Sequence, residues 1–130
     1  MDPGALKSIP LFASLSNKER EQVARWADEI DLAEGKHLAS EGEFAYEFFA
    51  IQEGTVEVTM GDQHVRDMGP GEFFGEIALV ETERRTATVV TRTPVRVIVM
   101  HGRDFRSMES AMPEVADKIR EAIRQRPGGR

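Results

Sequence analysis

Cysteine is absent from the chain, which excludes disulfide stapling and thiolate metal ligation and leaves a packed core to carry the fold. No apolar run approaches the roughly 20 residues that a membrane-spanning helix needs. The opening MDPGALKSIPLF has no basic stretch followed by an apolar segment, so no secretory signal is expected. A basic excess is missing too: 17 Lys and Arg face 23 Asp and Glu, a net charge of −6. That balance argues against broad nucleic-acid binding, which needs a basic face. His37, His64 and His101 stand apart with no partner at metal-ligand spacing, so no metal is expected. Ser107 and Ser110 have no histidine and acid arranged around them, so neither catalytic residues nor enzyme activity are expected. A small anion stays compatible with an acidic chain, because a few donors focused in one pocket can hold it.

What is present describes an ordinary globular protein, 40% hydrophobic and 31% charged over 130 residues. The length suits one domain covering residues 1–130, and a reducing cytoplasm is its simplest location. No internal repeat is visible, and the one low-complexity stretch is the final PGGR.

The pattern changes period twice. Ser16 and Glu19 form a capping box, with Leu15 placed for a hydrophobic staple. Val23, Trp26, Ala27 and Ile30 then recur at helical spacing, so a helical part is expected over about residues 5–30. The run Lys18–Glu21 reads as a solvated face, and Trp26 and Phe105 read as core or helix-packing residues. Short strands are expected at 37–40, 46–52, 55–60, 63–68, 86–91 and 95–100, separated by glycine and proline turns. Many short strands without intervening helices predict an antiparallel β-roll or jelly roll over about 31–101. Helices return over about 102–126, where Val115, Ala116, Ile119, Ala122 and Ile123 make an apolar stripe after Pro113. The expected class is mainly β with flanking helices, one N-terminal and a C-terminal set.

Residues 73–88, FFGEIALVETERRTAT, resist a plain sheet reading. The segment starts as a strand and continues as something too short for a full helix. Gly75 would let backbone approach a ligand, and a helical turn from Glu76 would present unbonded N–H groups to an anion. Arg85, brought across the loop, could clamp phosphate oxygens, and Glu76 could accept from a sugar hydroxyl. The plain alternative is a bulge at Gly75 and a surface ion pair between Glu76 and Arg85, worth about 0–1 kcal/mol.

The order FGEIAL, a short polar loop, then RTATV closely resembles the phosphate-binding cassette of the cyclic nucleotide-binding domain family. That family includes protein kinase A regulatory subunits, catabolite activator proteins and cyclic-nucleotide-gated channels. IPLFASLS resembles its entry into the first helix, AIQEGTVEV its glycine-containing hairpin, MGPGEFFGE the turn before the cassette, and MPEVADKIREAIRQR its closing helix. The domains of bacterial nucleotide-gated potassium channels look especially similar. The resemblance implies cAMP, or cGMP, as ligand, with no further cofactor. It implies that Glu76 accepts from the ribose 2′-hydroxyl, that amides near Ile77 and Ala78 face the cyclic phosphate, and that Gly75 permits the approach. Arg85 would pair with the exocyclic oxygens and the Thr86 hydroxyl would add a donor, with Phe74 and Ala87 flanking them. Thr86 stands where many members carry alanine and many bacterial ones serine, and it does not choose between cAMP and cGMP. Arg84 occupies a place where eukaryotic members usually have proline.

The family often closes a lid over the purine with its last helix. By position Arg126 is the lid residue here, with Ile123 and Arg120 behind it. The implied function is a regulatory sensor read out by that helix, with an effector domain, a partner protein or a second copy as listener. No membrane insertion is expected. A degenerate roll that binds proteins without nucleotide is the alternative, and intact Glu76 and Arg85 argue against it. A catabolite-activator type of regulator would need a following helix-turn-helix, and a channel would need membrane helices; neither is expected within these 130 residues.

Overall fold

The computed structural model describes residues 1–81 and 83–125. Among the described residues eight strands form: β1 Asp28–Leu32, β2 His37–Ala39, β3 Glu47–Glu53, β4 Val56–Met60, β5 Gln63–Met68, β6 Phe73–Phe74, β7 Thr88–Thr91 and β8 Val95–His101. Four α-helices accompany them: α1 Asn17–Val23, α2 Ile77–Val80, α3 Gly102–Ala111 and α4 Pro113–Arg124. The strands build two antiparallel sheets of order β1-β8-β3-β6 and β2-β7-β4-β5. This is the expected antiparallel roll with helices at both chain ends.

Two apolar layers hold it together, and the central strands serve both. Along β3, Phe48 and Ala50 join the core under the helices, while Phe49 and Ile51 join the core between the sheets. Strand β8 divides the same way, with Ile98 and Met100 toward the helices and Val95, Val97 and Val99 toward the second sheet. A strand buried on both faces reads as a continuous apolar run, as FFAI and VIVM do.

Two expectations are corrected. The helical stripe does not reach Ile30. Helix α1 ends at Val23, a 3-10 turn covers Ala24–Trp26, and Ile30 lies in β1 opposite Val97. Pairing along the edge of β8 satisfies the backbone there and outweighs a weak local periodicity. The Lys18–Glu21 run is not a uniformly solvated face either. Arg20 is 7% exposed and donates to the carbonyls of Phe12 (3.4 Å) and Leu15 and to Asn17 Oδ1 (2.6 Å), tying α1 to the turn before it. The capping box is as expected: Glu19 N–H donates to Ser16 Oγ (3.1 Å) and Ser16 N–H to Glu19 Oε1 (2.8 Å).

The apolar stripe of α4 is buried, Val115, Ala116, Ile119 and Ile123 all entering the helical core. That face packs toward α3 and the 3-10 turn Pro10–Phe12. Lys118 Nζ bonds both carboxylate oxygens of Glu19 at 2.9 Å, which fastens α4 to α1.

Candidate functional site

The cassette is positioned by its two phenylalanines. Phe73 and Phe74 pair with Ala50 and Phe49 of β3 and point to opposite faces. The Phe73 ring packs on Phe48 (5.7 Å between centroids), and Phe74 stacks on Phe49 (5.2 Å, 24° between planes). Anchored in both cores, the strand must then turn sharply, and Gly75 does so at φ +80°. A side chain there would be strained, and its Cβ would meet Arg85 Nη1 and the Glu47 carbonyl, each at 2.6 Å.

Glu76 follows as the residue capping α2 and is only 2% exposed. Ala78 and Leu79, at 3% and 1% exposure, pin the helical turn onto the core. The Ala78 N–H donates to the Gly75 carbonyl (2.9 Å) and the Leu79 N–H to the Glu76 carbonyl (3.1 Å). Of the two amides expected to face an anion, Ala78's is therefore already engaged by the protein.

Arg85 reaches the same place from the other side of the loop. It is half-buried, and its Nη2 donates to the Glu47 carbonyl at 2.7 Å. Burial pulls its guanidinium below the ordinary arginine pKa, partly offset by the nearby carboxylates of Glu47 and Glu76. No carboxylate salt-bridges it among the described residues. A positive group that is desolvated, and oriented by one bond while its other edge stays available, is suited to an incoming anion.

These groups line one cavity of about 610 Å³. It brings together Phe74, Gly75, Glu76, Ile77, Ala78, Arg85, Thr86 and Ala87, eight of the nine residues expected from sequence. Thr86 and Ala87 precede β7 and do not begin it, since that strand starts at Thr88. Arg126 lies outside the described residues. No residue of α4 lines the cavity: Ile123 is buried in the helical core, and Arg120 pairs with Glu109 and Asp117 near the Phe105 ring. Neither of these runner-up lid residues lines the cavity in this conformation.

The second sheet supplies a wall that sequence reading missed. Ala39, Val58, Met68 and Val89 give it an apolar surface, and Arg66 gives it a second guanidinium. In β4 and β5 the register sets Val58 against Arg66 and Val56 against Met68, so these side chains share the inward face. The alternation of VEVTM was visible, but what its face would confront was not.

Two antiparallel sheets form a roll in which a glycine-led helical turn and a half-buried arginine converge on one cavity. The model of the cyclic nucleotide-binding domain family matches residues 29–111, and the chain belongs to that family. A cyclic nucleotide-gated potassium channel of Rhizobium etli is 34% identical over 122 residues, 94% of this chain and 34% of the channel. The chain thus spans about a third of that relative's length. Among solved structures, the N-terminal domain of a transcriptional regulator from Streptomyces coelicolor superposes with a TM-score of 0.84 at 27% identity, covering 93% of this chain and 90% of that one. The regulatory domain of Toxoplasma gondii protein kinase A, crystallised with cAMP, shares the fold at 23% identity and a TM-score of 0.77, covering 95% of this chain and 49% of its own.

Proposed function

We propose that this domain is a regulatory sensor that binds cAMP in the cavity and signals by movement of α4. In this reading Arg85 pairs with the exocyclic phosphate oxygens, Glu76 accepts from the ribose 2′-hydroxyl, the Ile77 amide faces the phosphate, and the Thr86 hydroxyl adds a donor. One observation carries it: a 2%-exposed carboxylate and a half-buried guanidinium face the same cavity around a glycine at φ +80°. A cavity of about 610 Å³ is the size expected for a small-molecule site. The family supports the ligand class, and the cAMP-bound relative supports the choice of nucleotide.

Signalling follows from where α4 rests. It packs beside α3 and α1, away from the cavity, so closing over a bound purine would require it to leave the Lys118–Glu19 contact. Ligand then shifts a population between two positions, by no more than its differential affinity for them. The listener is an effector domain or partner protein in the cytoplasm, and the nucleotide is bound without being consumed. Among the described residues no helix is long and apolar enough to cross a membrane.

A specific observation favours cGMP as the second reading. Arg66 enters the cavity from the second sheet, and a guanidinium can donate to O6 and N7 of guanine. Calorimetry of the refolded domain, stripped of co-purified nucleotide, decides among these: cAMP binding tighter than cGMP supports the first, the reverse order the second. Binding of neither supports a protein-interaction roll, and recovery of hydrolysed nucleotide would contradict a pure sensor.

A further inference from the structure

Arg84 and Phe44 form a clasp at the rim of the cavity, which Arg84 lines and Phe44 does not. The Arg84 guanidinium carbon lies 4.2 Å from the centroid of the Phe44 ring. Their backbones make an isolated antiparallel bridge. It is flanked by the Arg85 N–H donating to the Glu43 carbonyl and the Ala45 N–H donating to the Glu83 carbonyl, both at 2.7 Å. In that pattern the central residues are the pair without mutual hydrogen bonds, where side chains on adjacent strands come closest. Arg84 Nη1 also donates to the Gly42 carbonyl (2.7 Å), and the Gly42 N–H donates to the Arg85 carbonyl (3.0 Å).

The consequence falls on the neighbouring residue. Both backbone groups of Arg85 are bonded to residues 42 and 43, so its guanidinium can be no better placed than that segment. Little core packing holds the segment: Gly42, Glu43 and Phe44 are exposed, Phe44 by 44%. Gly42 turns at φ +82°, and a Cβ placed on it would meet nothing within 4 Å. Beyond those backbone bonds, the Phe44 ring, tilted against Tyr46 at 6.3 Å, and the Arg84 side chain add a side-chain contact that holds the segment against the loop. An exposed aromatic under a stacked guanidinium is a stabilising pair even in water.

We infer that Phe44 and Arg84 are positioning residues, a cation–π clasp that fixes the backbone of Arg85 so that its side chain meets an anionic ligand. The inference rests on the nucleotide reading for what that ligand is, but not for the clasp itself. Phe44 does not line the cavity, whereas Arg84 borders it beside Arg85; in this inference both act through the placement of Arg85, and Phe44→Ala is the variant that leaves the cavity lining untouched.

Two readouts test it. The first is affinity for cAMP, and for the two phosphorothioate analogues in which sulfur replaces one exocyclic oxygen or the other. Phe44→Ala and Arg84→Gln are each expected to weaken cAMP by about threefold to fivefold, the worth of an exposed cation–π pair. The double variant should be no worse than either single one, and the preference between the two analogues should narrow. Phe44→Tyr, which keeps the ring, should restore both. In an Arg85→Ala background, Phe44→Ala should change nothing further. Wild-type affinity in Phe44→Ala, or losses that persist without Arg85, would overturn the clasp.

The second readout needs no ligand: exchange of the Arg85 amide proton, expected to quicken in Phe44→Ala and return in Phe44→Tyr. Should the wild type bind no cyclic nucleotide, the functional reading fails, and amide exchange still decides the clasp. Unchanged exchange overturns it.

Discussion

The Nη1 nitrogen of Arg85 lies 2.6 Å from the point that a Cβ on residue 75 would occupy. Glycine at position 75 is therefore needed twice, once for a backbone at φ +80° and once for the space that the guanidinium fills. Gly75→Ala should lower stability by about 1–3 kcal/mol through backbone strain and contact. It should also displace Arg85 and weaken cAMP by at least about tenfold, since misplacing a charge-assisted contact forfeits most of its worth. Urea unfolding and calorimetry on the same variant separate the two effects. A variant with normal affinity would show that Arg85 does not need this place.

Acid should loosen the hold of α1 on α4. Bonds from the Ser16 N–H and from Lys118 keep the Glu19 carboxyl below its ordinary value of 4.5. A carboxylate with a depressed folded-state pKa contributes stability that is present above the unfolded-state pKa and lost as pH falls through the folded one. The loss therefore begins near 4.5 and deepens below it. Thermal unfolding from about pH 6 down to about pH 3 should show a steeper decline for wild type than for Glu19→Gln, which does not titrate. Parallel declines would remove Glu19 from the account of acid stability.

Arg66 should set base preference more than phosphate affinity. Its removal in Arg66→Ala is expected to weaken cGMP by about 1–3 kcal/mol, the worth of a bidentate contact to guanine, with a smaller effect on cAMP. Competition binding with both nucleotides measures the ratio. Equal losses for the two would assign Arg66 to the field of the cavity and not to the base.

The cassette segment stood out in the chain because it is local: Gly75, Glu76 and Arg85 flank one short helical turn, and the resemblance chose the phosphate reading over a bulge with a surface ion pair. The apolar stripe of α4 was equally legible, but periodicity reports that a face is buried and not what covers it. The resemblance alone put Ile123 and Arg120 next in line as lid residues over the purine, and they are found against the core and Glu109. Strand β1 was hidden because Ile30 happens to sit at helical spacing from Val23 and Trp26, and its strand state depends on pairing with a distant β8. The wall of Ala39, Val58, Arg66 and Met68 and the Phe44–Arg84 clasp were hidden for the same reason. Both arise from residues far apart in sequence, which only register brings together.

The central claim is that Arg85 holds the phosphate of a cyclic nucleotide. Calorimetry of the refolded, nucleotide-free domain with cAMP, alongside Arg85→Ala, tests it most directly. Saturable one-to-one binding by the wild type, reduced in the variant by about 2–5 kcal/mol, is the predicted result for a truncated charge pair in a desolvated site. Equal affinity in the two proteins would contradict the account.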